Sequence, residues 1–263
     1  MDNILTFEIP KFHPKYKRSE KYGYKNTKEK DNLKAVLEES SRGYCMYCYS
    51  RMRVDGKLYA NLEHAIEKKN SEKLIECIPN IGIACPVCNQ VFKRKGEKKR
   101  ILSSNTIQEY ESKSRCTLLK RKQCTVPCFA LKALQKQYNI LDEGKIILQP
   151  MGIVGNDSKE NLAIQYDVMN MEFQPADSFH TYSDEEREII STHIKRFKLN
   201  DPKYRTRQLY DFIKNIIDNN GKIPRYEYNN FIIELFAECL KNKTSGEILK
   251  ICESIFSIIF LKV

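Results

Sequence analysis

This chain lacks the marks of a secreted or membrane-spanning protein. Its most apolar stretch, Ile255 to Leu261, falls far short of the roughly 20 residues a bilayer requires. Met1 to Ile9 carries two acidic residues and no basic one, so it does not read as a signal peptide. No internal repeat and no low-complexity tract interrupts the sequence. Histidine is scarce, with four in 263 residues. Three of these, His13, His180 and His193, lack any framing motif and read as structural or surface residues. The first half is poor in acid: residues 1–125 hold 27 Lys and Arg against 15 Asp and Glu, whereas residues 126–263 hold 18 against 19. All of the formal excess of +11 therefore sits in the first half. A polyanion is the natural partner of that half, and a membrane is not expected to be one.

The length of 263 residues allows one large or two modest domains, and hydrophobic residues, 41 % of the chain, are enough for a real core. The expected compartment is the cytoplasm. Disulfides are rare there, so a Cys-x2-Cys pair means metal or redox chemistry. The chain has ten cysteines, and four of them form two such pairs, Cys45/Cys48 and Cys85/Cys88. Two pairs argue for a metal. Each pair makes a tight turn that aims two sulfurs at one point, and together they can hold Zn2+ tetrahedrally. The 36 residues between Cys48 and Cys85 exceed the spacing of a plain zinc ribbon, so a compact piece must be inserted there. Cys116, Cys124 and Cys128 form a looser cluster, either a second metal site or small buried hydrophobes. Cys239 and Cys252 lie in apolar helical stretches and read as core.

The inserted piece contains Glu63-His64 and Asn80, and Asn89 and Lys93 follow the second pair. Leu58 to Ile66 and Asn80 to Ala84 read as strands that can pair antiparallel. Pro86 to Lys95 has helical character with proline at its start. On a strand, Glu63 and His64 point to opposite faces, so a metal suits the space between strand and helix. Glu63 and Asn89 offer the oxygen ligands that Mg2+ accepts, and Mn2+ should substitute. A neutral His64 can take a proton from water attacking phosphorus, and Asn80 can hold its other N–H. Lys93 lies four residues after Asn89, on the same helix side, where it can ground a phosphate. The run Lys93-Arg94-Lys95-Gly96-Glu97-Lys98-Lys99-Arg100 supplies further phosphate contacts. Residues 11–34 add nine Lys and Arg with Phe12, Tyr16, Tyr22 and Tyr24 interleaved, and residues 1–30 read as a polar, irregular arm.

Elsewhere, residues 31–41 and 129–138 read as helices, and 145–150, 162–168 and 171–174 as strands. Ser183-Asp184-Glu185-Glu186 is a capping box that opens a helix to about Phe197. Asp201-Pro202 opens another that ends near Gly221, and 226–241 and 245–261 are amphipathic.

Cys-x2-Cys, Glu-His, Asn-x4-Cys-x2-Cys-Asn-x3-Lys over residues 45–93 resembles the HNH endonucleases, the ββα-metal or His-Me finger family, in its zinc-stabilised four-cysteine branch. The resemblance implies His64 as general base, Glu63 and Asn89 as ligands of the catalytic Mg2+ or Mn2+, Asn80 as the residue that orients the base, and a structural zinc on the four cysteines. Where many members have His-x-x-Pro-Lys, this chain has His64-Ala65-Ile66-Glu67-Lys68. Ile146 to Pro150, Asn161-Leu162, Leu199-Asn200 and Arg207 are similar to the downstream region of HNH subunits of Septu-type anti-phage systems. That likeness implies an ABC-type ATPase partner and a role in defence.

The expected fold is α+β: a ββα-metal core with a structural zinc, followed by a mostly helical region with a few short strands. The expected parts are an arm and helix at 1–44, a nuclease domain at 45–125 and an accessory, partner-docking domain at 126–263. The expected function is metal-dependent cleavage of nucleic acid, DNA in preference to RNA. The alternatives are cleavage of RNA, or a zinc-finger module that binds nucleic acid without cutting it.

Overall fold

The computed structural model describes residues 4–114, 124–201 and 207–261. Among these residues are seven α-helices and seven short strands in three small sheets, an α+β architecture.

Residues 4–30, expected as part of a polar arm, carry more structure than an arm. Strand β1 (Thr6–Glu8) places Phe7 in the core, and Ile9, Phe12 and Tyr22 are also buried. Three residues are too few for alternation to stand out in a basic segment. Helix α1 (Thr27–Ser40) opens on Asn26, whose side chain accepts the Glu29 N–H. Its buried face is Leu33, Val36 and Leu37. A small hairpin follows, β2 (Arg53–Val54) and β3 (Lys57–Leu58), turned by Asp55 and Gly56, both left-handed at φ 49° and 74°.

The stretch read as one strand from Leu58 is divided: β4 covers only Asn61–His64. It pairs antiparallel with β5 (Ile81–Ala84), with Glu63 opposite Gly82 and His64 opposite Ile81. Helix α1 packs on β5. Residues 65–80 cross between the strands in three short 3-10 turns. A short helical segment over 86–92 follows β5, and its turns from Cys88 to Phe92 are of the wide π type. Gly82 allows a close approach. A Cβ there would lie 3.2 Å from the Gln149 carbonyl oxygen, because residues 146–150 lie against the hairpin.

Those residues form no strand. Ile146, Ile147 and Leu148 are buried, but the Ile147 N–H is donated to His193 Nδ1 instead of to a neighbouring strand. An apolar run reads alike in either setting. Helix α2 (Ser104–Lys113), which apolar spacing does not announce, packs on α3 (Phe129–Ile140). Strands β6 (Ile164–Asp167) and β7 (Glu172–Pro175) pair antiparallel, and β1 adds to the β6 edge.

Helix α4 (Asp184–Arg196) opens with the full capping box: Ser183 accepts from Glu186 N–H and Glu186 accepts from Ser183 N–H. It packs on β7. Helices α5 (Arg207–Asp218), α6 (Phe231–Leu240) and α7 (Ser245–Leu261) pack together at the end of the chain. The expected helix start at Pro202 lies outside the described residues. One apolar core cluster draws residues from each of the parts expected at 1–44, 45–125 and 126–263, while the β2–β3 hairpin lies at its edge, with only Leu58 packed against it. No helix among the described residues is long and apolar enough to cross a membrane.

Candidate active site and cysteine cluster

The two Cys-x2-Cys turns meet. The sulfurs of Cys45, Cys48, Cys85 and Cys88 all lie within 4.8 Å of one another, and those of Cys48 and Cys85 are 3.7 Å apart. Sulfurs about 2.3 Å from one ion at tetrahedral corners stand roughly 3.8 Å apart, so the cluster can hold a structural metal such as zinc. Local backbone builds the turns. Tyr49 takes a left-handed φ of 63° and donates its N–H to the Cys45 carbonyl. The Cys85 N–H points at Cys45 Sγ, 3.3 Å away. Burial pushes the Cys45 and Cys88 thiols well above their ordinary value. Four thiolates together in such a place need a cation to sustain them. Cys124 and Cys128 do not join a metal-holding group among the described residues, and Cys116 lies outside those residues.

The cysteine cluster and the Glu-His strand belong to one unit. Tyr47, between the cysteines of the first turn, is fully buried and donates its hydroxyl to Glu63 Oε2 at 2.5 Å. Burial, then the Glu63 charge, raises the Tyr47 hydroxyl well above its ordinary value, so it remains a donor. The Met46 N–H reaches the Ile83 carbonyl on β5 at 3.2 Å. On the other side, His193 Nε2 lies 3.3 Å from the Tyr47 carbonyl, which ties α4 to the same turn.

Glu63 and His64 diverge as strand neighbours must, and both line one cleft. Glu63 faces the helical segment, where its Oε1 meets Lys93 Nζ. His64 faces the crossing: its Nε2 is 3.1 Å from the Ile75 carbonyl, and its ring meets the Tyr24 ring edge-on at 4.5 Å. A carbonyl only accepts, so Nε2 carries the proton and Nδ1 keeps its lone pair. Burial lowers the His64 pKa below its ordinary value, partly opposed by the Ile75 bond and Glu63. The imidazole is therefore neutral at neutral pH.

Asn80 does not hold His64; Ile75 does. Asn80 is fully buried and clamps the next residues instead. Its Oδ1 accepts the Ile66 N–H and its Nδ2 donates to the Ile66 carbonyl, both at 2.9 Å, while its own carbonyl accepts the Ala65 N–H at 2.8 Å. The clamp fixes the chain as it leaves His64. Asn89 is half-buried, lines the same cleft and makes no side-chain hydrogen bond among the described residues.

The basic run is split by burial. Arg94, Lys95, Lys98 and Lys99 are exposed, whereas Lys93 and Arg100 are buried at 4 % and 0 % exposure. Neither buried residue is a surface phosphate contact. Lys93 Nζ donates to Glu63 Oε1, to the His64 carbonyl and, at 2.7 Å, to the Ala65 carbonyl. Arg100 donates from Nε to Glu67 Oε1 at 2.8 Å, and Glu67 also accepts the Tyr138 hydroxyl from α3. This second buried pair fixes the crossing from behind. Tyr138 and Glu67 carry no motif, so only tertiary structure brings them in.

The cleft has a volume of about 270 Å3 and is lined by Glu63, His64, Asn89 and Lys93, with the exposed Lys68, Lys69 and Arg94 contributing cations. Tyr24 closes one side, delivered by the N-terminal segment. Lys30 and Lys68 stand 5.2 and 5.1 Å from its ring centre. Glu76 holds this segment by accepting the Tyr24 and Lys25 N–H groups at 2.7 and 2.8 Å. An aromatic among lysines was the signal for Tyr24; for Ile75 and Glu76 the sequence carried none.

Compared with known proteins, the chain matches no family model, no curated protein and no solved structure.

Proposed function

We propose that this chain is a metal-dependent nuclease of the HNH type, acting on nucleic acid with DNA as the favoured polymer. One observation carries the reading: a histidine, held through Nε2 by a backbone carbonyl, shares a lysine- and arginine-lined cleft with a free amide side chain, on a hairpin joined to a four-cysteine cluster.

His64 serves as the general base. Its Nδ1 takes a proton from the water that attacks phosphorus, and the Ile75 carbonyl, already accepting from Nε2, stabilises the imidazolium that forms. Lys68, Lys69 and Arg94 hold neighbouring phosphates. Tyr24 offers its ring to an unpaired base. The donor chemistry suits a hard ion in part: Asn89 has an uncommitted amide oxygen, while both Glu63 oxygens are engaged, by Tyr47 and by Lys93. A bound Mg2+ or Mn2+ supplies Lewis-acid polarisation of the phosphate and stabilises the leaving oxygen. A zinc on the four cysteines serves only to hold the scaffold. The anti-phage role and the ABC-type ATPase partner rest on the sequence likeness alone, and the cytoplasm is the compartment that fits them.

The test is incubation of the purified zinc-loaded chain with supercoiled plasmid and, separately, with RNA, each with and without Mg2+. The expected result is Mg2+-dependent nicking of the plasmid. Retention of either polymer without any cleavage would assign the chain to the non-catalytic zinc-finger class. Cleavage of RNA alone would move the substrate to that polymer.

A further inference from the structure

We propose that the ammonium of Lys93 occupies the place on Glu63 that a divalent ion needs, so that lysine and ion compete for one carboxylate. The proposal rests on the nuclease reading only for the identity of the ion. Lys93 Nζ has three hydrogens and meets three oxygens: Glu63 Oε1, the His64 carbonyl and the Ala65 carbonyl. Oxygen ligands converging on a positive charge, one a carboxylate and two backbone carbonyls, are the surroundings a hard cation takes. The second Glu63 oxygen is committed too, to the Tyr47 hydroxyl.

Both partners are buried, each at 4 % exposure, unlike the exposed Arg94 and Lys95 that follow. Removing a lysine from such a pair leaves an uncompensated charge, which is strongly unfavourable unless another cation replaces it. A divalent ion is that replacement. Lys93 also lines the open cleft, so the displaced side chain has somewhere to go. It stands one helical turn beyond Asn89, so a single segment supplies both the amide ligand and the competing charge. The chain without nucleic acid therefore binds divalent ions weakly at this site. Glu63 is neutralised from within until an ion takes the lysine's place.

The experiment measures Mn2+ binding to the full zinc-loaded chain, without nucleic acid, from the loss of the free-ion electron paramagnetic resonance signal. Lys93→Met is expected to bind Mn2+ at least about tenfold more tightly than the natural chain, because the carboxylate keeps the Tyr47 hydroxyl but is left with no internal cation. The double variant Lys93→Met with Glu63→Gln is expected to lose that gain. Equal affinity in the natural chain and Lys93→Met overturns the competition while leaving the ion site in place. No binding in any form overturns the ion site and the competition together. A second measurement needs no substitution: in 15N-lysine-labelled protein, Mg2+ is expected to shift the buried Lys93 ammonium resonance toward that of a solvent-exposed lysine. A Lys93 resonance that stays in place while the cleft residues respond to Mg2+ overturns the proposal.

Discussion

At the scale of single residues, the candidate site depends on what buried polar groups touch. Asn80 shows this most clearly. Its amide makes one donated and one accepted bond to the backbone of Ile66, inside a region with no access to water. Asn80→Ala leaves a buried N–H and a buried carbonyl without partners, at about 1–3 kcal/mol each. The expected loss of stability is about 2–4 kcal/mol in urea unfolding of the metal-loaded chain. Asn80→Asp should lose as much, because it keeps the acceptor for the Ile66 N–H but sets an oxygen against the Ile66 carbonyl. A loss below about 1 kcal/mol for both variants would mean that the clamp is unimportant. The residue types of the site were legible in the sequence: Glu63, His64 and Asn89 line one cleft, and Asn80 lies behind it. Their bonding was not legible, because it is set by the crossing, which brings the Ile75 carbonyl under His64. Lys93 and Arg100 carry the same charge as Arg94 and Lys95. Only folding separates the buried from the exposed.

At the scale of elements, the legible parts were those with local chemistry. The capping box of α4 is one. Ser183 and Glu186 exchange bonds as their spacing requires, and Glu186 does more than that spacing reveals: its Oε1 also accepts the N–H groups of Asp157 and Ser158 at 2.9 and 3.1 Å. Ser183→Ala should therefore cost about 1 kcal/mol, the usual value of a lost cap. Glu186→Ala, which frees N–H groups of both the cap and the loop ahead of β6, should cost about 2–3 kcal/mol. Thermal unfolding of the two variants gives the order, and Ser183→Ala proving the more damaging would contradict it. Pairing of β4 with β5 was likewise readable, and β6 and β7 were readable as strands from short runs close in sequence. β1, β2 and α2 were not readable. β1 is too short, and its partner β6 lies more than 150 residues away. α2 has a single fully buried residue, Tyr110, and so shows no apolar stripe. Residues 146–150 have the composition of a strand but satisfy their backbone through Gly144 and His193.

At the scale of the whole molecule, the division of charge and the division of structure differ. The positive excess belongs to the first half, yet the two halves are built into each other. Tyr44 donates to Glu234, Arg51 to the Tyr228 carbonyl, and Tyr138 to Glu67. The helical part thus supports the candidate site from behind and is more than an appendage to it. No periodicity or composition could have shown this, because such contacts join residues far apart in the chain. The central claim is that a metal-stapled scaffold presents one imidazole to a phosphate. Its most direct measurement is Mg2+-dependent plasmid cleavage by the natural chain and by His64→Ala, with zinc content determined for both. The account predicts a rate lower by about 10²–10⁴-fold in His64→Ala, the range of a lost general base, with zinc content unchanged and the protein still folded at the assay temperature. Equal cleavage by the two proteins, with zinc present in each, would contradict it.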